Sequence, residues 1–221
     1  MADLVIFGAG PTGELAHYYF TRDSDLDVAG FTVDKAYRKA DTFCGLPLVD
    51  FEEVTKRFPP TEYKMFVALS YAKMNQVRAA KYLRGKELGY DFVSYVSSRC
   101  SYLTDHPCGE NCFILEDNTV QPFVTIGNNV TLWSGNHIGH HSIIEDHCFI
   151  TSHVVVSGNC HVGPYCFIGV NATLRDSLNV APRTLIGAGA VIMKDTVDRG
   201  VYVPERAKLF DKKSDEIELT T

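Results

Sequence analysis

From Ile114 to Val197 the chain reads ILEDNT VQPFVT IGNNVT LWSGNH IGHHSI IEDHCF ITSHVV VSGNCH VGPYCF IGVNAT LRDSLN VAPRTL IGAGAV IMKDTV. Every one of these fourteen hexads opens on Ile, Leu or Val, from Ile114 to Ile192. The fifth position is small or medium in most hexads, as in Val124, Ser142, Cys148, Cys160, Cys166 and Ala172, with Asn118, Asn136 and Leu178 as exceptions. A period of six is not helical. It is three strand pleats in which one bulky and one small residue face the same side, and a fixed period of this kind marks a repeat architecture.

If three hexads close one triangular coil, residues eighteen apart stack. Ile114, Leu132, Ile150, Ile168 and Ile186 then form one interior column, and each rung bonds to the next about 4.8 Å away. Such a coil buries its core only by stacking on its neighbours. The pattern resembles that of the hexapeptide-repeat transferases, and this resemblance implies a left-handed parallel β-helix, a known exception to right-handed crossover.

The rest of the composition narrows the function classes. At 45% hydrophobic residues the 221-residue chain has enough apolar surface for a substantial core. The formal charge is -6 and no basic or aromatic-basic stripe is present, which argues against nucleic acid as a partner. No stretch approaches the roughly 20 apolar residues of a membrane span, and MADLVIFGAG lacks a signal-peptide pattern, so a cytoplasmic protein with no membrane partner is expected. Of seven cysteines, Cys112, Cys148, Cys160 and Cys166 fall on the small fifth position and read as core in a reducing compartment.

Upstream of the repeat, a strand-like run from Asp3 enters Gly8-Ala9-Gly10-Pro11-Thr12-Gly13 and then a helical stretch, Glu14 to Thr21. This is GxGxxG in its proper context. Glycines let backbone amides approach a diphosphate at a helix start, and Pro11 suits the first helical turn. The alternative is a tight strand-to-helix turn that binds nothing. A second strand, Leu26 to Val33, ends in Asp34, where such folds place an acid near ribose or base. Further alternation follows: a helix over 51–58 stopping at Pro59-Pro60, a strand over 65–70, a helix over 74–88 and a strand over 90–96. The pattern predicts a small Rossmann-like α/β domain over 1–98, a β-helix over 99–200 and a tail over 201–221. No second mononucleotide half follows, so a nucleotide or nucleotide-linked sugar fits better than NAD.

Six of the eight histidines lie between His137 and His161, with the single tryptophan, Trp133, just upstream. None falls on an interior position of the hexad. His140 and His141 are third and fourth in theirs and should point outward. Gly158, eighteen residues after His140, leaves room beside it, and a histidine next to a gap is a pocket candidate. The alternative is that these side chains tile a subunit interface. His141, His147 and His153 are one hexad apart, on three diverging faces, so no metal site is expected from a single chain.

The two halves together resemble the bacterial sugar acyltransferases grouped as sialic acid O-acetyltransferase-like, which include N-acetyltransferases of nucleotide-linked amino sugars. The resemblance implies acetyl-CoA as co-substrate, a nucleotide-linked sugar as acceptor and a homotrimer with its active site between coil domains. By the same resemblance, Ile138-Gly139-His140-His141-Ser142 supplies His140 as general base, with His141, Glu145 or Asp146 to orient it. Gly158 would lie against the pantetheine arm, and Ala188, within Ile186-Gly187-Ala188-Gly189-Ala190, would flank the same cofactor. Phe149, standing where the family has a second histidine near the acyl carbonyl, would line the same cofactor, and Trp133, standing where it has a sugar-contacting Asn, would meet the sugar. Gly8, Gly10, Pro11, Thr12, Gly13 and Asp34 would hold the nucleotide. An O-acetyltransferase and a sugar-nucleotide-binding protein that has lost catalysis are the competing readings.

Overall fold

The computed structural model describes residues 3–218. Its first unit is a sheet whose parallel strands are β1 (Asp3–Phe7), β2 (Asp27–Val33), β4 (Leu46–Asp50) and β5 (Tyr63–Val67), in the spatial order β4-β2-β1-β5. Counted along the chain that is 3-2-1-4, the order of one half of a doubly wound sheet with the next strand added. Helices cover both faces. On one side α1 (Pro11–Arg22) lays Ala16 and Phe20 on Leu4, Ile6 and Phe31; on the other α2 (Val54–Arg57) and α3 (Gln76–Glu87) bring Val54 and Tyr82 against Val5, Phe7 and Met65. Strands buried on two sides read as continuous apolar runs, which is why LVIF and FTV lack alternation.

Two features of this unit depart from the sequence expectation. A short antiparallel hairpin, β3 (Thr42–Phe43) with β4, sits at the sheet edge, turning through Cys44 and Gly45, both at positive φ. The strand expected over 90–96 is divided. Phe92 makes one bridge to Met65, whereas Tyr95–Val96 leaves the sheet and pairs with Phe113–Ile114 as the first rung of the coil.

The coil is a three-sided parallel β-helix. Each side is a ladder of two-residue strands, and partners lie eighteen residues apart, as Phe113, Thr131, Phe149, Phe167 and Leu185 do on the first face. The second face carries His137 and Val155, the third Ile143 and His161. Ser101–Tyr102 already belongs to the second face, so the opening coil starts close to the expected boundary at 99. At the far end Leu185 pairs with Val201, only sixteen residues on. All fourteen first-position aliphatics are buried.

Between strands the chain turns at the third and fourth positions, and the fourth takes positive φ: Asp117, Phe123, Asn129, His141, His147, His153, Asn159, Tyr165, Asn171, Ser177 and Arg183, with Gly135 and Gly189. Asn and His tolerate this region better than most residues. The histidine-rich stretch is therefore in part a backbone requirement. Inside, polar fifth-position side chains bond to corner carbonyls. The Cys148 and Cys166 thiols donate to the carbonyls of Gly163 and Ala181, and the Asn118 amide donates to those of Leu115 and Trp133. This satisfaction is what permits Asn in a dry core.

The α/β unit docks on the first face of the coil. Arg78, buried to 1% exposure, donates to Asn129 Oδ1 and to the carbonyls of Ser70, Asn129, His147 and Cys148. Burial lowers its pKa to about 10, so it remains charged at neutral pH and is satisfied by dipoles rather than by a carboxylate. Asn75 donates from Nδ2 to the Cys166 carbonyl, and Asn111 exchanges bonds with both backbone groups of Val67.

Candidate active site

The structure brings the sequence-selected residues into two groups. The first surrounds a cavity of about 380 Å³ at the C-terminal ends of β1, β2 and β5, lined by the Gly8–Thr12 turn, Asp34, Tyr37 and Lys81 among others. Gly8 has φ +127°, and a Cβ there would meet the Ala68 carbonyl oxygen at 2.6 Å. A Cβ on Gly13 would come within 2.1 Å of the Gly8 carbonyl oxygen. Both glycines are thus required by close backbone approach, the first by its dihedral as well. Gly10 caps α1 without a side chain and Pro11 opens it, so the helix's first amides face the cavity, an arrangement suited to an anion.

Asp34 is where the sequence places it, at the end of β2, but it is not alone. Its carboxylate forms an ion pair with Lys81 from α3. Lys81 was not legible as a site residue, since one lysine on a basic-faced helix carries no signal of its own.

Thr12 leads from this cavity to a narrow crevice that it shares with Asn111, Thr131, Trp133 and Phe149. Trp133 is half-buried at the corner between the first and second coil faces, 6.3 Å from Phe149 by ring centroids. Its partners include residues of the α/β unit's core, so it stands against the mouth of the first group rather than on a free coil surface. Phe149 does not meet its expectation as a cofactor contact. At 2% exposure it is covered by Tyr71 and by the Arg78 guanidinium 5.3 Å from its ring, and within one chain it offers no more than its part of the crevice wall.

The second group lies at the corner between the second and third faces, away from the face that the α/β unit covers. His140 and His141 are exposed, and their Nδ1 atoms are 3.1 Å apart. The His140 backbone amide donates to Gln121 Oε1, and the His141 ring lies 4.6 Å from that of Phe123, tilted by 37°; Phe123 is 59% exposed. Gly158 is beside His140 as expected. The imidazole itself fills the gap, since a Cβ on Gly158 would lie 2.6 Å from His140 Cε1. Gly158 therefore seats the histidine before it can seat a cofactor.

Of the three orienting candidates only His141 reaches His140. Glu145 pairs with His161, and Asp146 accepts from the amide of Asn128, both at or near the corner between the third and first faces. Ala188, exposed, is at the corner between the first and second faces. His141, His147 and His153 stand on three different corners. His147 corrects the expectation of an outward side chain: the α/β unit covers it to 7% exposure, and Asn129 lies 2.9 Å from its Nδ1. Desolvation lowers its pKa, with Asp146 opposing and Arg78 adding to the shift.

Residues 123–158 match the sequence model of the bacterial transferase hexapeptide (six repeats). Over 71 residues, or 32% of this chain, the sequence is 28% identical to an acyl-[acyl-carrier-protein]–UDP-N-acetylglucosamine O-acyltransferase of Stutzerimonas stutzeri. The match spans 28% of that protein's length. Among solved structures, a His-to-Asn point mutant of the perosamine N-acetyltransferase of Caulobacter crescentus, in complex with CoA and GDP-perosamine, is similar with a TM-score of 0.80 at 19% identity, covering 91% of this chain and 93% of that one. The acetyltransferase domain of PglB from Neisseria gonorrhoeae gives 0.75 at 18% identity, covering 91% and 96%. WeeI from Acinetobacter baumannii gives 0.73 at 18%, covering 91% and 94%. Residues 123–158 thus carry hexapeptide repeats of the bacterial transferase type, and over 91% of its length the chain has the fold of these three structures.

Proposed function

We propose that the protein transfers an acetyl group from acetyl-CoA to an amino group of a nucleotide-linked sugar. The observation that carries this reading is the His140–His141 contact: an exposed imidazole whose Nδ1 is engaged by a neighbour, leaving Nε2 to take a proton. The amine attacks the thioester carbonyl carbon. As the C–N bond forms, its proton passes to His140 Nε2; the tetrahedral centre then collapses, the C–S bond breaks, and the thiolate leaves and is protonated. With Phe149 buried, the charge on the acyl oxygen falls to backbone amides of the coil corners.

The nucleotide would occupy the glycine-turn cavity of the α/β unit, with the sugar passing Thr12 towards Trp133. That direction leads away from the His140 corner of the same chain, so a second copy has to complete the site. Phe123, Ile143 and Val155, 59%, 43% and 38% exposed, flank His140 and provide apolar surface for such a contact. We therefore place a homotrimer with sites between coils, in the left-handed winding these repeats imply, acting in the cytoplasm. Among the described residues no helix is long and apolar enough to cross a membrane. Sedimentation showing only monomer at micromolar concentration would contradict the trimer.

Release of CoA thiol from acetyl-CoA in the presence of a panel of nucleotide-linked amino sugars tests the activity. Turnover only with hydroxyl acceptors would convert the reading to an O-acetyltransferase; the matched Stutzerimonas protein is an O-acyltransferase. Nucleotide-sugar binding without any thiol release would leave a binding protein.

A further inference from the structure

Two arginines stand together on the last rungs of the coil with no acid between them. Arg183 and Arg199 share the corner between the third and first faces: the Arg183 amide donates to the Pro164 carbonyl at 2.9 Å, and the Arg199 amide to the Pro182 carbonyl at 3.0 Å. Both take φ +56°, a conformation that Asn, Asp and Gly adopt more readily than Arg. Successive rungs are about 4.8 Å apart, and like charges on neighbouring strands oppose each other. Among the described residues no acceptor bonds to the Arg183 guanidinium, which lies 5.3 Å from the Tyr165 ring centroid. The one ionic partner of Arg199 is its chain neighbour Asp198, at 3.7 Å.

The pair borders a cavity of about 440 Å³ whose other walls are Met74, Gln76, Leu185 and Val201. That is the size of a small-molecule site, roughly 300–1,000 Å³. Leu185 and Val201 are cross-strand partners and give it an apolar floor. Met74 enters from the loop between β5 and α3, where Lys73, Met74 and Asn75 all have positive φ, at 50°, 52° and 65°. Asn75, fully buried, holds this wall by donating from Nδ2 to the Cys166 carbonyl at 3.0 Å. Among the described residues no carboxylate lines the cavity. It is separate from both groups above: the glycine-turn cavity takes Ser70 and Val77 but neither Met74 nor Gln76, and His140 is at a different corner.

We infer that Arg183 and Arg199 form a second anion site, which binds the phosphate of a small organic phosphate while its apolar part rests on Met74, Leu185 and Val201. A guanidinium fork matches two oxygens of one phosphate, so a dianion can engage both forks and remove their mutual repulsion. The inference does not rest on the acetyltransferase reading.

The test is calorimetric titration of the full chain with phenyl phosphate and with inorganic phosphate, against sodium chloride at matched ionic strength. Wild type, Arg183→Asn, Arg199→Asn and Gly13→Ala are compared. Asn suits the positive φ at both corners, so the arginine variants keep the turn. Phenyl phosphate should bind the wild type, weaken by about 10- to 100-fold in each arginine variant, and bind Gly13→Ala as it binds the wild type. No heat beyond the chloride blank overturns the site. Binding that is lost in Gly13→Ala and kept in the arginine variants overturns its location, placing the anion at the start of α1. Equal affinity for inorganic and phenyl phosphate overturns the organic ligand. Displacement of phenyl phosphate by CoA overturns a separate site and gives the arginines to the co-substrate.

Discussion

The side-chain amide of Asn129 meets Nδ1 of His147 at 2.9 Å, beneath the docked α/β unit. With the ring neutral, Asn129 donates to Nδ1; a proton on that nitrogen would abolish the acceptor. Desolvation holds the His147 pKa below its ordinary value, so the unfolded chain binds this proton more readily than the folded one. The resulting stability is present above about pH 6.5 and is lost as pH falls from there towards the lowered folded value. Melting curves at pH 7.5 and 5.5 should show a larger loss for the wild type than for His147→Asn, which tolerates the positive φ and does not titrate. Parallel losses would show that this contact does not report the proton.

Arg78 should be the largest single contributor to docking. Arg78→Met leaves the carbonyls of Ser70, Asn129 and His147 without their donor, while the Cys148 carbonyl keeps the Thr131 amide and Asn129 Oδ1 keeps the Asn111 side chain, and hydrogen bonds to charged groups are worth about 1.5–3 kcal/mol each at best. Because these bonds are shared and non-additive, a total loss of roughly 3–5 kcal/mol is expected. Denaturant melts would detect it, together with early proteolysis between the two units. A loss under about 1 kcal/mol would mean that the aromatic contacts alone hold them.

His140→Ala should lower kcat by about 10² to 10⁴ with little change in substrate affinity, the range typical of a positioned general base. His141→Asn keeps a residue suited to positive φ but removes the imidazole partner, and a smaller loss of about tenfold is expected. Steady-state kinetics on both variants separate the roles. An unchanged kcat in His140→Ala would leave catalysis to substrate positioning.

Gly13→Ala should remove nucleotide binding with the coil still folded. The added methyl would stand 2.1 Å from the Gly8 carbonyl oxygen, so the turn has to open and its amides leave the anion position. Far-ultraviolet circular dichroism and UDP titration check the two halves of this statement. Retained affinity would place the diphosphate elsewhere.

Much of the coil was readable because its rule is local. Volume and polarity at the first and fifth positions depend on nothing beyond the hexad, and Gly8, Gly13 and Asp34 sit in a motif whose spacing carries its own geometry. What was not readable depended on docking. His147 occupies the same hexad position as His141 and His153, and only the α/β unit resting on it makes it buried. Phe149 was taken for a site residue by position in a motif, yet Tyr71 and Arg78, distant in sequence, close over it. The hairpin at Cys44-Gly45 carried a glycine signal that its short, Pro47-containing strand obscured. The regular placement of Asn, His and Gly at fourth positions was visible in the sequence. Its physical content, a left-handed residue at nearly every corner, explains several histidines that composition alone made look chemical.

The pairing of Leu185 with Val201 two residues early has a consequence for how such a chain tolerates length change. Every corner takes its phase from the one before it, so a two-residue deletion inside the run would press every later first-position Ile, Leu or Val into the small fifth position and carry outward third-position residues such as His140, Asp146 and Asp176 to the interior. In the terminal coil no rung follows to inherit the error. Indels should therefore be survivable at the end of the prism and ruinous in its middle, an asymmetry that a deletion scan along 114–202 would trace as a step.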